Sequence, residues 1–283
     1  MSDLTGKTWF ITGTGSGFGR AIAEEVLARG GRVVASARNP ESVGDLVARA
    51  PERVFAPKLD VTREDEVRAA VDDARKRFGR IDVLVNNAGY GFLAAIEEAS
   101  DAEVRRQFDV NVFGLAAVTR AVLPAMRADG SGCIVNLSST AGTRGSAGVG
   151  YYAASKFAVE GMSEALPKEV APFGIRVLIV EPGPFRTDFS GRSIAAPATP
   201  IDAYESAVQM RAYSGSLDGK QAGDPKRAAA LIVDTVLADD PPLRLILGRQ
   251  AYTGAIQSIR DRLSDMERSH DIAPLADFPD ATA

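Results

Sequence analysis

The sequence predicts an α/β fold: a doubly wound parallel sheet of about seven strands, helices on both faces, and a lid inserted late in the chain. Two observations carry this. Seven short apolar runs are spaced by helix-length segments, and a glycine-rich turn follows the first run and opens a helix. No repeat, low-complexity block or linker divides residues 1–283, so the chain reads as one domain.

In chain order, Trp9-Phe10-Ile11 is the first strand, followed by the turn Thr12–Gly19 and a helix. Arg32–Ala35 and Arg53–Phe55 are the second and third strands. Thr62 is placed to cap the next helix, with Val67, Val71, Ala74 and Phe78 inward and Gly79 as its stop. Ile81–Val85 is the fourth strand. Ser100-Asp101-Ala102-Glu103 is a capping box, and Val104, Phe108, Val112, Leu115, Thr119, Val122 and Met126 form one long buried stripe behind it. Cys133–Leu137 is the fifth strand and Arg176–Val180 the sixth. Between them, a segment of helical period runs from Tyr152 through Phe157, Val159, Met162 and Leu166. Residues 184–222 interrupt the alternation with Pro, Gly and Ser among apolar side chains. Leu243–Leu247 is the seventh strand, and residues 268–283 read as a flexible tail.

Composition narrows the chemistry. Lys plus Arg come to 33 and Asp plus Glu to 37, a net charge of −4 that argues against a general nucleic-acid partner. Apolar runs such as Arg176–Val180 fall far short of the ~18 residues of a membrane helix, and Met1–Lys7 lacks a secretory pattern. The single Cys133 fits a reducing, cytoplasmic compartment. With one cysteine and one histidine (His270, in the polar tail), neither a zinc site nor a serine-histidine triad is available. Catalysis is left to Ser, Tyr, Lys, Asp, Glu or a cofactor, with no metal.

The turn has the spacing T-G-x-x-x-G-x-G, with Gly13, Gly17 and Gly19 around Thr14, Ser16 and Phe18. Glycines there allow positive φ and let the backbone approach a pyrophosphate at a helix N-terminus; a bare strand-to-helix turn is the alternative. After the second strand, Ala37 stands where a dinucleotide fold usually has an acid for the ribose 2′-hydroxyl, and Arg38 follows. A guanidinium can fork onto a 2′-phosphate, with Ser36 as a second donor; otherwise Arg38 is a solvated arginine. The cofactor indicated is NADP(H) rather than NAD(H).

Tyr152 and Lys156, four apart, share a helix face, and Ser139 ends the preceding strand. An ammonium near a phenol favours the phenolate and makes tyrosine usable as an acid or base. Tyr151 has Ser155 at the same step and is set aside.

With these residues the chain resembles the short-chain dehydrogenases/reductases, in their compact single-domain branch, most strongly over about residues 5–190. The resemblance implies a Rossmann-type fold, and it implies roles. The turn from Thr12 is similar to the family's cofactor fingerprint, and Asp60 with Val61 to its adenine-contacting pair. Asn86-Asn87-Ala88-Gly89 resembles the signature that braces the sheet and lines the cofactor. Pro182-Gly183 with Thr187 resembles the nicotinamide-side turn. Ser139, Tyr152 and Lys156 match the catalytic trio, and Asn111 the asparagine that holds a relay water.

The reaction so implied is reversible hydride transfer between a nicotinamide and a carbonyl carbon, with Ser139 orienting the oxygen and Tyr152 protonating it. Sugar-nucleotide epimerases share the Tyr-Lys pair but need a larger C-terminal domain. Related enoyl reductases space the pair more widely, and Val159 is not their lysine. A catalytically silent NADP-binding sensor or scaffold is the non-enzyme alternative. Residues 184–222 are expected to form a mobile lid, and the small residues Gly145–Gly150 to leave volume for a bulky, apolar carbonyl or alcohol substrate. The long helices holding Asn111 and Tyr152, apolar on more than one side, suggest a homodimer or homotetramer.

Overall fold

Along each central strand, neighbouring apolar residues point to opposite sides, and both sides are covered. In the computed structural model, which describes residues 3–278, Trp9 and Ile11 join one core while Phe10 between them joins the other. Val33 and Ala35 divide from Val34 in the same way, as do Val83 and Val85 from Leu84, and Cys133 and Val135 from Ile134. A strand buried on both faces needs apolar side chains at every position, which explains the unbroken runs.

The strands are β1 (Thr8–Thr12), β2 (Arg32–Ser36), β3 (Val54–Phe55), β4 (Val83–Asn86), β5 (Gly91–Phe92), β6 (Gly132–Leu137), β7 (Ile175–Pro182), β8 (Ile194–Ala195) and β9 (Arg244–Leu247). Seven form one parallel sheet, as the spacing of the apolar runs predicts, and their order is β3-β2-β1-β4-β6-β7-β9. The winding reverses between β1 and β4, where a doubly wound sheet opens its crevice. The small parallel pair β5·β8 has no counterpart in the sequence reading.

The helices are α1 (Gly17–Ala28), α2 (Gly44–Arg49), α3 (Glu64–Phe78), α4 (Asp101–Phe108), α5 (Leu115–Ala128), α6 (Gly150–Val170), α7 (Phe189–Arg192), α8 (Glu205–Ser216), α9 (Pro225–Leu237) and α10 (Arg249–Glu267). On one side of the sheet, Ile22 and Val26 of α1 pack with Ile232 and Val233 of α9. On the other, Val67, Val71 and Ala74 of α3 pack with Val118, Val122 and Met126 of α5.

Two local expectations need correcting. Thr62 does not cap α3: the Asp60 carboxylate takes its N–H at 3.0 Å and its hydroxyl at 2.8 Å, and Arg63 precedes the helix. Helix α3 is favoured at its ends instead by Glu64, Asp65 and Glu66 in the first turn and Arg75, Lys76 and Arg77 in the last. The long stripe is not continuous either. A widened π-helical turn, Asp109–Gly114, joins α4 to α5 and resets the helical register. Val104 and Phe108 are only half-buried, and full burial resumes at Val112 and Leu115. The Ser100–Glu103 capping box forms as read.

The helical stretch Asp101–Ala128 is long and apolar enough to cross a membrane, but its apolar residues Val118, Val122 and Met126 lie in this protein's own core. Residues 184–222 carry α7, β8 and α8 rather than open loop. Beyond α10, residues 268–278 are exposed, and 279–283 of the expected tail lie outside the described residues.

Candidate active site

The glycine turn is built by cross-bracing from β4. The Thr12 hydroxyl accepts the N–H groups of Asn87 at 2.9 Å and Ala88 at 3.0 Å. The Asn87 amide donates back to the carbonyls of Thr12 (2.8 Å) and Gly13 (3.0 Å). Gly13 and Gly17 adopt φ of +70° and +59°, which favours glycine. A Cβ on Gly19 would fall 2.4 Å from Asn87 Nδ2 and 2.5 Å from Gly13 O. Ser16 precedes α1 without a side-chain cap, so the first-turn N–H groups keep the anion-binding character of a helix N-terminus. A dinucleotide pyrophosphate fits these residues.

The hydroxyls of Thr14, within the turn, and Ser36, at the end of β2, are directed beneath the turn. Thr14 is fully buried, with both its N–H and hydroxyl donating to Ser36 O at 3.1 and 3.0 Å. Ser36 is also fully buried, and its hydroxyl donates to Ile11 O at 3.0 Å. The expectation that Ser36 donates to a phosphate is therefore corrected: its hydroxyl ties β2 to β1. Arg38 is exposed at the end of β2, close enough for its charge to act on Asp60. Burial works to raise the Asp60 carboxyl, but the Thr62 bonds and the Arg38 and Arg63 charges hold it below its ordinary value. Val61 is buried against Gly114, whose added Cβ would lie 2.6 Å from Val61 Cγ2.

Ser139, Tyr152, Lys156 and Asn111 converge beside this turn from β6, α6 and the π-helical turn. The Ser139 hydroxyl accepts Ala141 N–H at 3.1 Å, fixing the bend after β6. Lys156 Nζ donates to Leu137 O at 2.7 Å and lies 5.9 Å from the centre of the Tyr152 ring. Burial pushes the Tyr152 phenol up to about 12, with Ser139 acting against it, and pulls Lys156 down to about 8, with Glu160 acting against that. The expected depression of Tyr152 by Lys156 does not emerge, because burial of the phenol itself dominates and raises it. Tyr152 thus holds its proton across the neutral range. Asn111 is clamped to Tyr90: its amide donates to Tyr90 O at 2.9 Å and accepts Tyr90 N–H at 3.0 Å, and it reaches Ser155 Oγ at 3.1 Å. A Cβ on Gly89 would lie 3.1 Å from Asn111 Oδ1 and 3.8 Å from Lys156 Nζ, so glycine here lets the backbone pass close to both. Tyr151, set aside earlier, donates to Ile96 O at 3.2 Å.

The insertion crosses the site. Phe189 stacks at a tilt on Tyr152 (6.0 Å), and Phe185 on Phe18 (5.0 Å). Thr187 lies over the glycine turn, its Cβ 3.7 Å from where a Gly17 Cβ would stand. Gly183 N–H donates to Leu247 O at 3.0 Å, setting the turn after Pro182 between β7 and β9. Within the segment Gly145–Gly150, Gly145 is open, with nothing within 4 Å of an added Cβ, but Gly148 and Gly150 are closely approached. A Cβ on Gly148 would lie 3.0 Å from Ala207 Cα and 3.1 Å from Met210 Cβ, and one on Gly150 would lie 2.6 Å from Ile96 Cδ1. The insertion, through Ala207 and Met210, occupies the place beside Gly148.

The sequence reading missed what ties the insertion down. Glu98, buried before α4, accepts Ala95 N–H (2.6 Å) and Ile201 N–H (2.9 Å) and pairs with Arg211 of α8 at 2.8 and 3.0 Å. Arg211 foremost holds the Glu98 carboxyl down to about 2. The pair is therefore in place above the ordinary carboxylate range and is lost only as pH falls toward about 2. Breaking a buried pair costs about 3–5 kcal/mol, so Arg211→Ala is expected to loosen the insertion selectively. Hydrogen exchange should rise across residues 194–216 while β1, β4 and β6 stay protected; equal protection in both proteins would contradict the latch.

Comparison with known proteins comes to the same place. A family model described as short chain dehydrogenase matches residues 7–197. Oxidoreductase BOA17 of Botryotinia fuckeliana is 41% identical over 254 residues, covering 88% of this chain and 92% of that one. The 3-ketodihydrosphingosine reductase of Bacteroides thetaiotaomicron is 38% identical over 240 residues, covering 84% and 86%. A short-chain dehydrogenase from Streptomyces avermitilis superposes with a TM-score of 0.90 at 41% identity, over 96% of this chain and 100% of that chain. Two Burkholderia structures differ in cofactor. The B. phymatum enzyme was solved with NAD (TM-score 0.81, 25% identity, 100% and 99% covered) and the B. cenocepacia enzyme with NADP (0.73, 26%, 94% and 98%).

Proposed function

Because this chain belongs to the short-chain dehydrogenase/reductase family of oxidoreductases, which use nicotinamide cofactors, we propose that it reduces a ketone or aldehyde to the alcohol with NADP(H) and Tyr152 as proton donor. The observation that carries the reading is the convergence of Ser139, Tyr152 and Lys156 beside the glycine turn.

The turn residues Gly13, Gly17 and Gly19, with the start of α1, would hold the pyrophosphate, Asp60 and Val61 the adenine side, and Pro182, Gly183 and Thr187 the nicotinamide side. When bound, the cofactor supplies or takes up a hydride. Ser139 orients the carbonyl oxygen by donating to it. Tyr152, protonated at neutral pH, gives that oxygen its proton. Lys156 holds positive charge next to the phenol, and Asn111, anchored to the Tyr90 backbone, would hold the water that returns the proton. Phe189 against Tyr152 favours an apolar group on the substrate. The relative named as a 3-ketodihydrosphingosine reductase supports the same class, a ketone with an apolar substituent. Residues 184–222 act as the lid over that group. A homodimer or homotetramer in the cytoplasm belongs to the same reading, and Phe113, 61% exposed on the π-helical turn, suits a subunit contact. NADPH absorbance during incubation with a ketone and aldehyde panel tests the proposal, and no consumption across the panel would overturn it.

The cofactor preference rests on Arg38 alone. A charge-assisted hydrogen bond contributes roughly 1.5–3 kcal/mol, so kcat/KM should favour NADPH over NADH by about 10- to 150-fold. Arg38→Ala should abolish that preference. Equal efficiency with both cofactors in the unmodified protein would refute it.

A further inference from the structure

Behind the catalytic helix lies a charged group that the proposed chemistry leaves unused. Glu160 stands one turn after Lys156 on α6, and Glu181 is the penultimate residue of β7, just before Pro182; they are 7% and 1% exposed. Arg244 of β9 reaches both, with Nη2 3.4 Å from Glu160 Oε2 and Nε 3.2 Å from Glu181 Oε1. It also pairs with Glu164 at the exposed rim. Among the described residues, neither carboxyl oxygen of Glu181 has a well-directed hydrogen-bond donor, whereas the buried Ser138 hydroxyl and Arg244 both act on Glu160 and favour its charge. Close packing holds the group together: a Cβ on Gly142 would lie 2.7 Å from Ser138 Oγ and 2.9 Å from Glu160 Cγ.

Two ionised carboxylates with one guanidinium would leave a net negative charge out of water. Like charges sharing one counter-ion in a buried site take up a proton, and the resulting O–H supplies a donor that the Glu181 oxygens lack. We propose that Glu160 and Glu181 share one proton and act as a positioning pair, setting the charge that holds Lys156 as an ammonium beside Tyr152. This rests on the roles assigned above to Lys156 and Tyr152. The charged groups acting on the pair are Arg244 from β9 and Glu164 and Lys156 from α6. Burial, then the neighbouring Glu160, pushes Glu181 up to about 7 despite Arg244, and burial also raises Glu160. With the proton aboard, the two carboxyls and Arg244 are neutral together. As pH rises through neutrality the proton leaves, the group becomes negative, and the ammonium one helical turn away is favoured.

Infrared difference spectroscopy of the protein without cofactor reads the pair directly. A buried carboxylic acid band should be present at mildly acid pH and bleach as one proton titrates near neutrality. It should be lost in Glu181→Gln and in Glu160→Gln, where the remaining carboxyl faces Arg244 alone and ionises, and kept in Glu164→Gln. The pH profile of kcat/KM should show an inflection in the same range, missing from the first two variants and present in the third. Absence of a titrating acid band in the unmodified protein overturns the shared proton, whether or not the protein turns over a carbonyl. Profiles unchanged in both Glu160→Gln and Glu181→Gln overturn the link to Lys156.

Discussion

Tyr152→Phe is expected to lower turnover by about 10²- to 10⁴-fold, the span typical of a lost general acid, while NADPH affinity changes little. The substitution removes one hydroxyl and keeps the ring, so the tilted contact with Phe189 persists. The turn that would hold the phosphates is braced by Thr12 and Asn87, which do not depend on Tyr152. Because burial holds the phenol at about 12, the unmodified enzyme should keep its proton donor through neutral and mildly alkaline pH. Single-turnover rates beside an NADPH fluorescence titration make the check. Undiminished turnover in the variant refutes the role of Tyr152.

Gly19→Ala is expected to abolish cofactor binding at ordinary concentrations. The added methyl would meet Asn87 Nδ2 at 2.4 Å and Gly13 O at 2.5 Å, and neither is the free end of a flexible chain. Relief requires moving the Asn87 amide off the carbonyls of Thr12 and Gly13, which breaks two hydrogen bonds. Overpacking costs about 1–3 kcal/mol and each bond about 1 kcal/mol, so a loss of roughly 3–5 kcal/mol is shared between stability and affinity. Thermal melting with and without NADPH separates the two. A variant that melts as the unmodified protein does and gains the same NADPH shift would show that the turn tolerates the methyl.

The sequence announced the sheet because strands covered on both faces must be apolar throughout, and the runs at Trp9-Phe10-Ile11 and Val83-Leu84-Val85 are. It announced the turn and the Ser139, Tyr152 and Lys156 set because their geometry depends on local spacing: an i,i+4 step, or glycines at a strand end. What it hid depends on remote partners. Nothing near Ser36 says that its hydroxyl will meet Ile11 O, or near Lys156 that its ammonium will meet Leu137 O. Glu98 and Arg211 are far apart in the chain, as are Glu160 and Arg244, and charged residues at such positions read as solvated until the fold joins them. Gly148 was ambiguous for the same reason: a missing side chain marks either space or close approach, and Ala207 and Met210 made it the latter.

The widened turn Asp109–Gly114 gives one rod two independent phases. A regular helix advances about 100° per residue, so the direction of any one side chain commits all the others. With that commitment broken at the turn, Gln107 and Asn111 can aim at the Tyr90 backbone while Val118, Val122 and Met126 aim at the core. Sequence drift in the apolar half is thereby uncoupled from the aim of Asn111. Deleting one residue within 109–114 would lock the halves back into a single phase and force the chain to keep either its packing or its asparagine.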